Sequence, residues 1–155
     1  MSVDRKFEIV RPTLDKIHRL PLEVANLGLI SPNSTSPLAL VDGELVQIDT
    51  SGKWARASDA TKPSHVVIDE RGDYGVQASR KLTAVVGGGH FIANTVIFNS
   101  GLTTIGTPVK YGSVTVETLA RAGLVDQAGS GIILGYVMKV AAANGGKLQV
   151  LWTFN

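Results

Sequence analysis

Between Pro37 and Val86 the chain reads PLALVDGELVQIDTSGKWARASDATKPSHVVIDERGDYGVQASRKLTAVV. Its apolar runs are short: Leu38–Val41, Leu45–Ile48, Val66–Ile68 and Leu82–Val86. Each is closed by turn chemistry, at Asp42-Gly43, Ser51-Gly52, Lys62-Pro63 and Arg71-Gly72-Asp73. Short β-branched runs broken this often by residues that favour turns predict an all-β fold, a small β-barrel or sandwich.

The same pattern continues to the C-terminus. Val46 and Ile48 alternate with Gln47 and Asp49, which predicts one buried and one wet face. Ser51-Gly52-Lys53 turns the chain into Trp54-Ala55-Arg56 as a hairpin, and His65–Ile68 reads as a buried strand. Lys81–Val86 alternates again, and Gly87-Gly88-Gly89 lets the chain bend into His90–Phe98. Pro108–Tyr111 predicts a short strand. Val114–Ala122 fits either a strand or one helical turn, with Gly123 as its cap. A last hairpin joins Gly131–Ala141 to Leu148–Phe154. On it Leu134, Tyr136, Met138 and Val140 share one face, as do Leu148, Val150, Trp152 and Phe154.

Residues 1–37 are different. They hold a single glycine, Gly28, and scattered apolar residues, with Phe7-Glu8-Ile9 as one short strand. Pro12 and Pro21 restrict any helix around Leu14, Ile17 and His18 to about two turns. Ser31–Pro37 is a polar Pro/Ser tract of linker type. Residues 1–37 are therefore expected to be an extended N-terminal arm and linker, and residues 38–155 the β domain. An arm this apolar is expected to dock on something, its own β domain included.

Composition narrows the function classes. With 155 residues and 44% apolar content, one globular domain is expected. Charged residues make up 18% and there are 17 glycines. The first is low and the second high for a soluble domain, which suits a surface partly hidden in an assembly. The net charge of +2 comes from lysines and arginines spread along the chain, without the clustering that nucleic-acid binding needs. The absence of cysteine excludes disulfides and thiolate chemistry. The start MSVDRKFEIVRP has no signal-peptide core, and Ile132–Met138 falls far short of the ~20 residues that span a bilayer. A soluble chain without a membrane partner is expected.

No reactive motif stands out. Gly87-Gly88-Gly89-His90 and Gly52-Lys53 both lack the remainder of a phosphate-binding loop. Gly129-Ser130-Gly131 lacks the third glycine of a dinucleotide site. His18, His65 and His90 are isolated. Asp69, Glu70 and Asp73 miss the calcium-loop spacing, and no serine lies in a nucleophile elbow. Arg71-Gly72-Asp73 reads as a turn and not as an adhesion motif, and Asn33-Ser34-Thr35 has no role without secretion. Neither enzymatic activity nor a metal or cofactor is expected.

The run Leu40-Val41-Asp42-Gly43-Glu44-Leu45-Val46, then Ser51-Gly52-Lys53-Trp54, then Lys62-Pro63-Ser64-His65-Val66-Val67-Ile68-Asp69, resembles the capsid decoration (cement, or head-stabilisation) proteins of tailed bacteriophages. The strand Lys81–Val85, the glycine break after it and the closing strand Gly146–Val150 extend the similarity over residues 38–155. The resemblance implies a structural virion protein on the capsid exterior, assembled in the host cytoplasm. It implies a β-barrel homotrimer at threefold points of the expanded head, clamping neighbouring subunits of the major capsid protein. The N-terminal arm here is longer and more apolar than the short polar tails of that family.

An extended arm can add a strand to an open sheet edge. On that reading Phe7, Ile9 and Leu14 anchor the arm on the capsid, with Arg5 and Arg11 at the rim. Ordering it costs about 1–2 kcal/mol per residue, which several buried apolar side chains at ~1.5–3 kcal/mol each must offset. Two other readings stay open. One is a different phage β-module, in the tail or head–tail connector. The other is a ligand-binding barrel that takes sugar or nucleic acid through Trp54, Arg56 and Tyr74.

Overall fold

The computed structural model describes residues 7–12, 16–26, 29, 39–68, 81–87, 89–116, 118–141 and 146–153. Over these residues the chain forms strands β1 (Phe7–Arg11), β2 (His18–Glu23), β3 (Leu45–Ile48), β4 (Trp54–Arg56), β5 (His65–Val67) and β6 (Lys81–Gly87). They are followed by β7 (His90–Thr95), β8 (Pro108–Val116), β9 (Leu119–Asp126), β10 (Gly135–Lys139) and β11 (Leu148–Thr153). One antiparallel sheet has the order β1-β7-β11-β10-β8-β9, the other β2-β6-β5-β3-β4. The fold is all-β, and of the two architectures expected it is the sandwich: two open sheets packed face to face, not a closed barrel.

The first core lies between the sheets. Trp152, Phe91, Val150 and Phe7 enter it from the six-stranded sheet, and Leu45, Val66 and Val85 from the five-stranded one. The Phe91 and Trp152 rings are stacked with centroids 5.8 Å apart, and Phe7 meets Trp152 edge-on at 5.9 Å. Phe7 also lies over Gly43, whose φ of +89° is in the left-handed region; a Cβ there would stand 2.8 Å from Phe7 Cβ. Glycine at this turn thus serves both the backbone conformation and the seat of β1.

A second core covers the opposite face of the five-stranded sheet. Val46, Trp54, Val67, Leu82, Ala84 and Val24 form it. The sheet bends until the end of β2 meets β4 in a single parallel bridge, Val24 to Trp54, with the Ala25 N–H donating to the Trp54 carbonyl at 2.9 Å. Because both faces of this sheet are covered, the alternation expected for β3 fails. Gln47 is buried and Ile48 is exposed. Gln47 is accommodated by hydrogen bonds: its Nε2 donates to the Asp59 carbonyl and to Ser64 Oγ, and its Oε1 accepts from the Ser58 N–H. The β3–β4 hairpin forms where expected. Asp49 accepts the Lys53 and Ser51 backbone N–H groups across the turn, which holds its carboxyl below the usual carboxylate range.

His65 borders this second core, its ring 5.5 Å from that of Trp54. Burial pushes its pKa below the ordinary 6.5, against a smaller opposing effect of a backbone hydrogen bond to Val85. The folded state therefore holds the neutral imidazole, while the unfolded chain takes up the proton more readily. The contribution is fully present above pH ~6.5 and is lost as pH falls below it. Thermal melts should give a lower Tm at pH 5 than at pH 7, and His65→Gln should flatten that slope. An unchanged slope in the variant would assign the acid sensitivity to other groups.

One open sequence expectation is settled and two further ones are revised. Val114–Ala122 is no helical turn: β8 and β9 pair along their whole length, from Val109 opposite Asp126 to Val116 opposite Leu119. Gly123 is mid-strand, and a Cβ on it would come within 2.6 Å of the Ile97 carbonyl. On β10 the inward residues are Gly135 and Val137, so Tyr136, Met138 and Val140 stand outside while Leu134 is buried. On β11 Leu148, Val150 and Trp152 point inward as expected, with Phe154 outside the described residues. The Arg71-Gly72-Asp73 turn, Asp69, Glu70 and Tyr74 also lie outside them, as does the whole linker tract Ser31–Pro37.

The N-terminal segment is woven into both sheets. β1 pairs with β7 and β2 pairs with β6, the chain passing from one sheet to the other after a cis Arg11–Pro12 bond. Over these residues the segment packs across its own body.

Candidate functional site

Among the described residues, the carboxylate of Glu44 is the most heavily liganded polar group, and it is fully buried. It sits just ahead of β3 and gathers donors from both sheets. Arg56, at the end of β4, gives Nε to Oε2 at 2.5 Å and Nη2 to Oε1 at 3.4 Å. Arg121, on β9, gives Nη1 to Oε1 at 3.1 Å and also reaches the Ala39 carbonyl. The Val41 and Ala122 backbone N–H groups complete the shell at 3.3 and 3.2 Å. Tyr111 lies beside this cluster, and burial, the main cause, raises the pKa of its phenol. Every oxygen of Glu44 is engaged, so the carboxylate has no lone pair left to act as a base. The arrangement ties the two sheets together and has no nucleophile. Among the described residues no three His, Asp or Glu side chains come together as a metal site would require.

The three expected contact residues that the structure describes do not share one surface. Phe7 faces inward at 5% exposure, and Ile9 is half-buried against the same core. Arg11, at the end of β1, is exposed on the outer face. Arg5 and Leu14 lie outside the described residues. Of the residues considered for ligand stacking, the two that the structure describes are also spoken for. Trp54 is fully buried with its Nε1–H donating to the Leu20 carbonyl at 3.3 Å, and Arg56 is held by Glu44. Trp54 is core, with no ring face left for a base or a sugar.

What the sequence reading missed is the outer face of the six-stranded sheet. Its register sets residues of neighbouring strands in rows. One row runs Arg11, Ile92, Leu151, Tyr136, Pro108 across β1, β7, β11, β10 and β8. The next row runs Glu8, Asn94, Gln149, Lys139. The amides of the second row are linked: Gln149 Nε2 donates to Asn94 Oδ1 at 3.2 Å, and Asn94 Nδ2 donates to Glu8 Oε1 at 3.3 Å. Between the two rows β1 bulges at Val10 and β10 bulges at Met138. These two are 43% and 40% exposed, and Tyr136 is 39% exposed. Five of the nine large apolar side chains exposed among the described residues lie in the single segment 132–140. The run of apolar residues there was visible in the sequence; which of them face outward was not, because that depends on the bulge.

Exposed apolar side chains gathered with a few charges suit contact with another protein and supply no chemistry of their own. No helix of the described chain is long and apolar enough to cross a membrane. No protein-family model, curated protein or solved structure matches the chain.

Proposed function

We propose that this chain is a structural virion protein that binds the outer surface of a tailed-phage capsid and stabilises the expanded head by bridging major capsid subunits. The strand-and-turn resemblance over residues 38–155 gives the reading its direction. The observation that carries it is the pairing of an all-β sandwich, with the buried Glu44 ionic cluster closed on itself, to a surface that, among the described residues, keeps nine large apolar side chains exposed. Such a body suits protein–protein contact in an assembly and not turnover. A decorating protein needs contact with the shell and contact between copies, and the homotrimer implied by the resemblance belongs to this proposal. Repeated over a shell, modest individual contacts give firm attachment through effective concentration. The position on the capsid exterior is part of the same proposal.

The shell contact falls to the beginning of the chain. Arg11 stands exposed where β1 forms the edge of its sheet, and Arg5 precedes that strand. Phe7 and Ile9 act from inside, seating β1 so that this edge is presented. Deleting residues 1–37 would remove two strands, so point changes are the proper test. Purified protein should co-sediment with undecorated heads of the parent phage at saturable, stoichiometric occupancy. Arg5→Glu combined with Arg11→Glu should weaken that binding while leaving the thermal melt unchanged. Failure of the wild-type protein to pellet with heads would overturn the decoration reading. Undiminished binding of the double variant would move the contact elsewhere on the sandwich.

A further inference from the structure

The outer face of the six-stranded sheet is complementary to itself. Consider a twofold axis parallel to the strands, passing between β7 and β11. It exchanges β1 with β10 and β7 with β11 of a second copy laid face to face. Each row then meets the same row running the opposite way. Glu8 of one copy faces Lys139 of the other, and Asn94 faces Gln149. In the apolar row Ile92 faces Leu151, and the Arg11 guanidinium faces the Tyr136 ring. The two bulge strands also face each other, with Val10, 43% exposed, and Met138, 40% exposed, offset by about one residue along the strands, on either side of the Ile9–Ala93–Val150–Val137 row.

We infer that this face pairs with the same face of a second copy of the chain. Three properties point to a copy of itself and not to an unrelated partner. Opposite charges occupy the two ends of one row, at positions that a twofold axis superimposes. The two exposed bulge residues are both apolar and stand on strands at equivalent distances from that axis, about one residue apart along it. The cation and the aromatic ring of the neighbouring row are exchanged by the same operation, a favourable pairing. A contact in which each patch meets its own copy is the commonest form of association in symmetric oligomers. Two twisted sheets stacked with their strands nearly aligned, about 10 Å apart, pack as the layers of a sandwich do. The pair buries a central apolar row and leaves the charges at its margin, as protein interfaces generally do.

This pairing does not depend on the capsid reading, and it makes a different statement about stoichiometry. A twofold contact joins two copies, or two trimers formed through another surface, and never closes a ring of three by itself. Its test is charge reversal followed by mixing, read by sedimentation equilibrium. Wild-type protein should sediment with an even number of chains. Glu8→Lys alone and Lys139→Glu alone should each raise the dissociation constant about tenfold or more, because two opposed pairs per contact change from attraction to repulsion. Both side chains are exposed, so neither change disturbs the core. Mixing the two variants should restore the wild-type mass. In the mixed pair each reversed side chain faces the unlike charge it needs, and the two unaltered ones do the same. The inference is overturned if the wild-type protein sediments as a single chain or as a lone trimer. It is equally overturned if either variant alone keeps the wild-type mass, or if the mixture fails to regain it. Because Arg11 lies on this face as well as at the proposed shell contact, Glu8→Lys and Lys139→Glu are the variants also taken to heads: loss of pairing with head binding kept tells the two apart.

Discussion

Trp152→Ala is expected to cost about 3–5 kcal/mol, the range for removing a large aromatic side chain from a closed core. A domain of this kind has roughly 5–15 kcal/mol in total, so the variant should unfold at a much lower urea concentration and sit near the limit of stable folding. Trp152 is fully buried on the inward face of β11. It is stacked on Phe91 of β7 at 5.8 Å and met edge-on by Phe7 of β1 at 5.9 Å. These neighbours are fixed by ladder hydrogen bonds in three strands of one sheet, so they have little freedom to collapse into the space left behind. Trp152→Phe keeps the stack and should cost much less.

The same contact measures how firmly β1 is docked. Phe7→Ala should be destabilising in the wild-type background and distinctly less so beside Trp152→Ala. The difference, about 0.5–1.5 kcal/mol, is the range for an aromatic pair. Far-UV circular dichroism during urea unfolding reads all three variants. A cost below about 1 kcal/mol for Trp152→Ala would mean that the two sheets are not held together where the rings meet.

The sequence announced much of this architecture, and the exceptions have specific causes. β3 to β7 appear where apolar runs are bounded by Asp42-Gly43, Ser51-Gly52, Lys62-Pro63 and the triple glycine, because turn chemistry is local. The inward face of β11 was readable because Leu148, Val150 and Trp152 alternate with Gln149 and Thr153. β10 defeated the same reasoning. Its sequence is apolar at almost every position, so alternation cannot choose a face. The structure chooses by putting Gly135 inward, where a Cβ would collide with the Leu151 carbonyl, and by shifting register at Met138.

Val114–Ala122 left strand and helical turn open, and the structure takes the strand. Glu117, Leu119, Ala120 and Arg121 are good helix formers, but pairing along the full β8–β9 hairpin overrides propensity that weak. Gln47 looked wet because it alternates with Val46 and Ile48, but it shares the face of Leu45, and its cover by the segment from Ser58 to Ser64 cannot be inferred from one strand. The rows on the outer face required the register of four strands at once. Only Arg11 among its charged members was singled out from the sequence, and for a different reason.

Glu44 was the least legible of all, and its removal is the second large effect expected. An acidic residue after Asp42-Gly43 looks like part of a solvated turn, and its partners lie 12 and 77 residues away. Glu44→Ala would leave the Arg56 and Arg121 guanidinium groups close together with no anion between them. Their side chains are only 21% and 11% exposed. It would also strip the buried Ala122 N–H of its acceptor. Breaking a buried ion pair from one side costs about 3–5 kcal/mol, chiefly through the charges left uncompensated.

That origin can be separated from simple loss of contact. If stranded charge dominates, Glu44→Leu combined with Arg56→Met and Arg121→Met should recover most of the lost stability, since apolar replacement of an entire buried ionic cluster is often neutral or better. Glu44→Ala alone should remain destabilised in 1 M salt, because buried charges are screened far less than exposed ones. Urea titrations of the single and triple variants at low and high salt measure both. If the triple variant is no more stable than Glu44→Ala, the cluster does more than compensate its own burial. The directed hydrogen bonds from β4 and β9 then fix how the two sheets sit against each other.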